Sequence, residues 1–196
     1  MRSRNLAAVV LVPMLIGGCS TSPPAAFYTL SAAPPLVDAP ATTPPISIAI
    51  DVVTVPELVD RPQIVLRTGA TQVTIDEYAR WADPLSSQIS RVLAADLAQD
   101  VPGALVSGSG QHPNSTEAYR VRVDVQSLES VPGEMASIVV VWSVRPPKQG
   151  AAVSGRAIVH ERVSAQGYDA LVEAHSRALA IVSNGIAGAI RSALQP

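Results

Sequence analysis

Serine, histidine and carboxylate side chains are the residues of this chain that could support catalysis, and their spacing forms no known catalytic motif. The segment "SGSG" at 107–110 lacks the Gly-x-Ser-x-Gly spacing and the strand-to-helix context of a nucleophile elbow. His160-Glu161 is not followed by the second histidine of a zinc-binding helix motif. His112 and His175 are scattered, and no glycine-rich loop precedes a helix in a form that cradles phosphate. We therefore expect no enzyme activity, no catalytic residue, no metal site and no cofactor.

Cys19 is the residue whose surroundings do indicate chemistry, and it is the only cysteine in 196 residues. Arg2 and Arg4 precede an apolar run over 6–16 that is too short for a membrane span, which needs about 20 residues. A basic start, a short apolar run and small residues after it are typical of a secretory signal. Ile-Gly-Gly-Cys at 16–19 resembles the lipobox of bacterial lipoproteins, whose cysteine thiol takes a diacylglycerol. We predict that residues 1–18 are a signal peptide and that Cys19 is lipidated.

The residue after Cys19 bears on where such a lipoprotein would reside. Each buried methylene of an acyl chain contributes about 0.8 kcal/mol, and stable anchoring takes more than one chain. Lipoproteins of this type carry three acyl chains, and inner-membrane members typically have Asp directly after the cysteine. Ser20 occupies that position here. The resemblance therefore implies a protein held by lipid on the periplasmic face of the outer membrane. A buried or reactive cysteine in a cytosolic protein is the alternative, but it leaves the flanking pattern unexplained.

Composition limits the range of partners. Without Arg2 and Arg4, 12 basic residues face 16 acidic ones, so residues 19–196 carry a net charge of −4. The basic residues are dispersed and include a single lysine, Lys148, whereas nucleic-acid binding requires a basic cluster. We expect no nucleic-acid partner. With no second cysteine, the fold must be stable in an oxidising compartment by packing alone.

The chain divides near residue 45. Residues 19–45 contain seven prolines among Ala, Ser and Thr, which predicts an extended, weakly ordered tether. Within it, "FYTL" at 27–30 is a short group of strand formers. Residues 46–196 have the regular apolar patterns of one periplasmic domain, long enough to bury a core.

The patterns in this second part predict strands and two amphipathic helices. Ile46 to Val52 alternates apolar and polar residues, and a hairpin is predicted on either side of Gly69. A helix is predicted after Asp83 as N-cap and Pro84 as its first residue. Strands at 119–126, 138–144 and 153–163 predict a meander, and a last helix is predicted over 168–194. Asp51, Asp60 and Asp76 are interpreted as strand-face or turn residues. The prediction is an α+β fold with two layers: a mainly antiparallel sheet with both helices packed on one face.

Four motifs carry a family likeness: "FYTL" at 27–30, "VPELVDRPQIVLR" at 55–67, "YARWADPL" at 78–85 and "YDALVEAHSRAL" at 168–179. In this order they resemble the ABC-type transport auxiliary lipoprotein (PqiC-like) family, over nearly all of residues 19–196. The resemblance implies a role with MCE-domain proteins and an inner-membrane transporter in lipid movement and membrane integrity. The likeness says little about residues 107–116, where the pattern is loose.

Five residues in these motifs are candidates for partner binding: Tyr28, Asp60, Arg61, Arg80 and Trp81. Each has a structural alternative. Tyr28 could add a strand to a sheet edge, and Asp60 with Arg61 could hold their own loop together as an ion pair. Trp81 precedes the predicted helix start, where a large apolar residue often packs against the first turn.

The sequence does not decide between two functions. The first is a tether and docking subunit that holds a transport system to the outer membrane. The second is a lipid carrier that accepts acyl chains between the sheet and the helices. A lipoprotein hydrolase is a third class, disfavoured because no nucleophile motif is present.

Overall fold

The computed structural model describes residues 23–34, 46–108, 117–148 and 150–194. It contains eight strands and two helices over these ranges. The strands are β1 (Ala26–Tyr28), β2 (Ser47–Thr54), β3 (Gln63–Arg67), β4 (Val73–Trp81), β5 (Leu105–Ser107), β6 (Tyr119–Val131), β7 (Met135–Arg145) and β8 (Val153–Arg162). The helices are α1 (Leu85–Asp100) and α2 (Tyr168–Leu194). In these ranges, neither helix is long and apolar enough to cross a membrane.

The strands form two sheets rather than the one expected from the sequence. The larger sheet has the order β5-β2-β6-β7-β8, and the smaller one has the order β1-β4-β3. The β6-β7-β8 meander is antiparallel throughout, and so is the β3-β4 hairpin. Most of the paired residues therefore lie in antiparallel ladders, which confirms the α+β prediction.

Two strands pair in parallel: β1 with β4, and β2 with β6 on one side and β5 on the other. Parallel neighbours need a long crossover, and the chain between β2 and β6 supplies one because it contains a hairpin and α1. Strand β5 has only three residues and was not predicted. Parallel pairing leaves the alternating pattern of β2 unchanged, so the pattern alone could not reveal it.

Both helices cover one face of the larger sheet, as expected. Helix α2 packs on β7 and β8, while α1 packs on α2 and β2. The interface is filled by aliphatic side chains that solvent does not reach, among them Val121, Val140, Leu93 and Ile186. The ring of Trp142 is buried in the same cluster.

The start of α1 differs from the prediction. Helix α1 begins at Leu85, and the N-cap position is held by Pro84 with no side-chain cap. The Pro84 carbonyl accepts hydrogen bonds from the backbone N–H groups of Ser87 and Gln88, at 2.9 and 3.1 Å. Asp83 therefore lies one residue too early to cap the helix, and its carboxylate instead lies 3.9 Å from the guanidinium of Arg91. The prediction of Asp83 as N-cap was wrong.

Residues 29–34, which we call the strap, cross the helical layer. The Leu30 N–H donates to Gln88 Oε1 at 2.7 Å, and the Ala33 N–H donates to Asp96 Oδ1 at 2.8 Å. From the other helix, Ser176 Oγ accepts from the Ser31 N–H at 3.2 Å. Gln88, Asp96 and Ser176 are buried, so each backbone donor exchanges water for a protein acceptor. The strap is thus bound to α1 and α2 together.

Candidate docking groove

A groove on the surface is formed where the smaller sheet meets the start of α1. Strand β1 runs parallel to the end of β4, with Phe27 beside Arg80 and Tyr28 beside Trp81. On the other side of β4, the Trp81 N–H donates to the Pro62 carbonyl at 2.7 Å. The Ala82 N–H then donates to the Tyr28 carbonyl at 2.9 Å. These bonds bring residues 27, 60–62 and 80–85 to one place.

The groove encloses about 430 Å³, and more than half of its lining is apolar. Its lining residues are Phe27, Asp60, Arg61, Pro62 and the run from Arg80 to Leu85. Trp81 and Leu85 are buried beneath it, whereas Phe27 leaves 66% of its surface open to solvent. A large aromatic side chain so exposed beside an apolar floor is typical of a binding surface.

The charged side chains of the groove differ in how they are paired. Arg80 Nε donates to the Glu77 carbonyl at 3.0 Å, and its Nη2 lies 3.7 Å from Glu77 Oε2. Arg61 is half-buried, and its Nε atom is buried with no hydrogen-bond partner among the described residues. Within that part of the chain, Asp60 and Arg61 form no ion pair. The loop is therefore not held by such a pair, and Arg61 lines the groove without an ion pair in the described residues.

Tyr28 lies beside the groove but does not line it. Its side chain is half-buried, and its ring lies 5.4 Å, centroid to centroid, from the ring of Tyr168 at the start of α2. Burial, and then the nearby carboxylates of Asp169 and Asp76, raise the pKa of Tyr28. Tyr28 thus fits the alternative of an added edge strand, since it pairs with β4 and packs against α2.

Asp76 fixes the irregular part of β4 that leads to the groove. Its Oδ1 accepts hydrogen bonds from the N–H groups of Tyr78 and Ala79, at 2.8 and 2.9 Å, and its Oδ2 accepts from the Tyr168 hydroxyl. These bonds, led by the one from Tyr168, lower the pKa of Asp76. Burial raises the pKa of Tyr168 above its ordinary value. An ionised Asp76 therefore connects α2 to the smaller sheet.

Sequence reasoning missed Phe27 but proposed four other residues that line the groove. Asp60, Arg61, Arg80 and Trp81 come together here, although they were chosen from two separate motifs. Side chains alternate along a strand, so Phe27 points away from the face of Tyr28. That alternation, applied to "FYTL", was the available signal for Phe27.

Two serine–histidine pairs also occur among the described residues. Ser130 Oγ lies 2.8 Å from His175 Nε2, but both residues are buried, so no substrate reaches them. Ser137 Oγ lies 2.9 Å from Nδ1 of the exposed His160. In the described ranges, no group of three or more His, Cys, Asp or Glu side chains could hold a metal ion. His112, the expected lipidation site Cys19 and Ser20 lie outside the described residues.

The described chain is a two-layer α+β protein with its strap bound across two helices. A family model described as the ABC-type transport auxiliary lipoprotein component matches residues 28–187. The chain belongs to this family, so it is a transport auxiliary lipoprotein component.

Solved structures support the fold. A crystal structure of a protein described as uncharacterized superposes with a TM-score of 0.71 at 22% identity, covering 86% of this chain and 99% of that chain. The crystal structure of protein XCC0632 from Xanthomonas campestris superposes with a TM-score of 0.63 at 18% identity. That match covers 85% of this chain and 99% of the other. No curated protein matches the chain.

Proposed function

We propose that this protein is an outer-membrane-anchored periplasmic subunit that docks the MCE-domain protein of an ABC-type lipid transport or membrane-integrity system. Residues 1–18 serve as the signal peptide, Cys19 carries the lipid, and 46–196 form the periplasmic domain. Residues 19–45 form the tether, of which β1 and the strap pack on that domain. The seven residues from Ser20 to Ala26 reach at most about 25 Å. The groove next to β1 is therefore close to the membrane surface, where a partner that spans the periplasm would arrive.

The single observation that carries the docking role is the groove itself. It gathers residues from three of the four family-like motifs, with an exposed Phe27 over an apolar floor and an Arg61 guanidinium that forms no ion pair among the described residues. A partner that fits this site presents an apolar side chain to Phe27 and an oxygen acceptor to Arg61. Aromatic and arginine side chains are the residues that most often dominate the binding energy of interfaces.

The lipid-carrier alternative receives less support from the packing. Side chains between the larger sheet and the helices form two buried clusters, so acyl chains would have to displace them. Lipid that co-purifies with the protein, with its acyl chains in contact with these clusters, would favour the carrier instead.

The test is capture of the purified MCE-domain protein of the same transport system by full-length protein in an uncharged detergent. Phe27→Ala is expected to weaken binding by about tenfold or more, as for an interface hot spot. Arg61→Ala and Arg80→Ala are each expected to weaken binding less than Phe27→Ala does. Their difference in affinity from the wild type should shrink at high salt, because exposed charges are screened. Arg162→Ala, an exposed arginine outside the groove, is the matched control and should bind as well as the wild type.

Two results would contradict the proposal. If all three groove variants capture the partner as well as the wild type, the groove is not the docking site. If one charge variant binds fully yet fails completely in survival of envelope stress, the protein has a catalytic role that docking does not explain.

A further inference from the structure

The outer face of the larger sheet, opposite the helices, presents an uneven distribution of charge. Neighbouring strands align their outward residues in rows across the sheet. Arg120 of β6 lies directly opposite Arg145 of β7, and the next row places Arg122 opposite Ser143. Like charges in directly opposed positions destabilise a sheet. The protein keeps three arginines here without an apparent structural benefit.

One carboxylate accompanies these three guanidinium groups. Asp51 Oδ2 lies 3.7 Å from Arg120 Nη1, while Arg122 and Arg145 form no ion pair within the described ranges. The next carboxylate along β6, that of Asp124, already accepts a hydrogen bond from Thr54 Oγ1 at 2.5 Å. The cluster therefore has an excess of positive charge.

Asp51 is directed into the cluster by a break in strand register. The pairing of β2 with β6 shifts between Ile50 and Val52, so Asp51 is the extra residue of a bulge. Bulges commonly redirect a side chain near functional sites. The Asp51 side chain is only 11% exposed, and its Oδ1 atom is buried without a hydrogen-bond partner in the described part of the chain. A buried acceptor of this kind needs a donor.

These side chains enclose a cavity. It measures about 200 Å³ and is lined by Asp51, Arg120, Arg122, Ser143, Arg145 and Ala152. A cavity of only about 10–15 Å³ holds one water molecule, so this cavity has room for a larger ligand. Arg122 and Ser143 also line a second hollow of about 460 Å³, whose lining is mostly apolar and includes Val52 and Val141. A polar cavity thus opens onto an apolar one.

We propose that this cavity, the arginine cradle, binds a phosphate ester of a polyol such as a glycerophosphate group. Guanidinium groups match phosphate oxygens because they present several donors in a fixed plane. Arg120, Arg122 and Arg145 bind the phosphate, and Asp51 Oδ1 accepts a hydrogen bond from a hydroxyl of the same ligand. The group can come from a free glycerophosphate or from a lipid whose chains occupy the adjoining apolar hollow. The inference rests on this sheet face and is independent of the docking groove.

The test is titration calorimetry on full-length protein in an uncharged detergent. The probes are inorganic phosphate, glycerol 3-phosphate and a short-chain phosphatidylglycerol below its micelle concentration. Glycerol 3-phosphate should bind more tightly than inorganic phosphate. A further gain of tenfold or more for the phosphatidylglycerol identifies a lipid as the source, and equal affinity identifies the free ester.

Variants separate the cradle from general electrostatics. Arg122→Gln and Arg145→Gln should each weaken glycerol 3-phosphate binding by about tenfold, since each removes a charged hydrogen bond. Arg156→Gln removes an exposed arginine of the same sheet face outside the cavity and should change the affinity less than twofold. Asp51→Ala should remove the preference for the ester over inorganic phosphate. The proposal is overturned if the wild type binds neither phosphate compound at millimolar concentration, or if Arg122→Gln and Arg156→Gln behave alike.

Discussion

His175 is a titratable side chain enclosed by the fold, with 1% of its surface exposed. Its Nε2 lies 2.8 Å from Ser130 Oγ, while Nδ1 is buried without a partner among the described residues. Burial lowers the pKa of His175 to about 4, because the interior disfavours the charged imidazolium. The native packing between α2 and β6 therefore requires the neutral form of the His175 ring.

This burial predicts a loss of stability in mild acid. An unfolded histidine takes up a proton near pH 6.5, whereas the folded one resists until about pH 4. The contribution of neutral His175 to the free energy of unfolding is fully present above pH 6.5. It falls by about 3 kcal/mol as the pH decreases toward 4. His175→Gln should show a shallower fall in the free energy of unfolding between pH 7 and 4.5, measured by denaturant titration. Parallel curves for the two proteins would show that His175 does not titrate with folding.

Gly155 is required by the position of Trp142. The two residues are paired across β7 and β8, and a Cβ at residue 155 would overlap the Trp142 ring. Because the ring is buried against the core, Gly155→Ala should cost about 1–3 kcal/mol of stability.

Gly188, inside α2, has nothing within 4 Å of an added Cβ, so Gly188→Ala should stabilise by about 0.5–1 kcal/mol. Thermal unfolding of both variants checks this, and shifts of the same sign would contradict it.

At the scale of elements, the strap depends on buried polar side chains of the helices. Gln88 accepts from the Leu30 N–H and donates from Nε2 to the Asp83 carbonyl at 3.0 Å. Asp96 holds Ala33 in the same way, although burial raises the pKa of Asp96 and its Oδ2 lacks a partner in the described residues. The strap is thus fixed through few, well-buried contacts.

Loss of one such contact should release the strap locally. Gln88→Leu leaves the Leu30 N–H buried without an acceptor, which should cost about 1–3 kcal/mol. Hydrogen exchange at the Leu30 amide should then become faster. Arg91→Ala is the control, because it removes only exposed contacts, the hydrogen bond to Thr29 Oγ1 and the ion pair with Asp83, and should cost less than about 0.5 kcal/mol. Unchanged protection of Leu30 in Gln88→Leu would show that the strap is held by other contacts.

The regular elements could be predicted from apolar periodicity alone. Strands β6 and β7 and helix α2 each bury one face over ten or more residues, and β8 alternates less exposed with exposed positions, so their patterns are clear. Strand β5 could not be found, because three residues carry no period. The separation into two sheets and the parallel pairing of β2 depend on contacts between distant segments, which a local pattern does not encode.

The same distinction applies to the sites. The predicted hairpin of β3 and β4 already implied that the loop before Gln63 would lie beside Arg80, so the groove was within reach of sequence reasoning. The arginine cradle was not, because it requires the bulge at Asp51 and the exact cross-strand register of β6 and β7. Asp51 was interpreted only as a strand-face residue.

At the scale of the whole molecule, the proposed lipid anchor is the feature that would decide where the protein works. Cys19→Ser would remove the thiol that we propose takes the diacylglycerol, and signal cleavage in lipoproteins follows lipid attachment. The variant should therefore accumulate as a precursor that retains residues 1–18, visible as a slower band on a gel and by mass spectrometry. A variant that is cleaved normally and still fractionates with the outer membrane would refute the lipoprotein interpretation.

The attachment of the strap to both helices also determines how the molecule bears mechanical load. A force applied at the N-terminus reaches the strap before any strand of the larger sheet. Because Leu30, Ser31 and Ala33 are bonded to α1 and α2 at several points, the force is shared between the helices. A pull between the N-terminus and the rest of the domain would therefore be carried by the helical layer together with the pairing of β1 and β4.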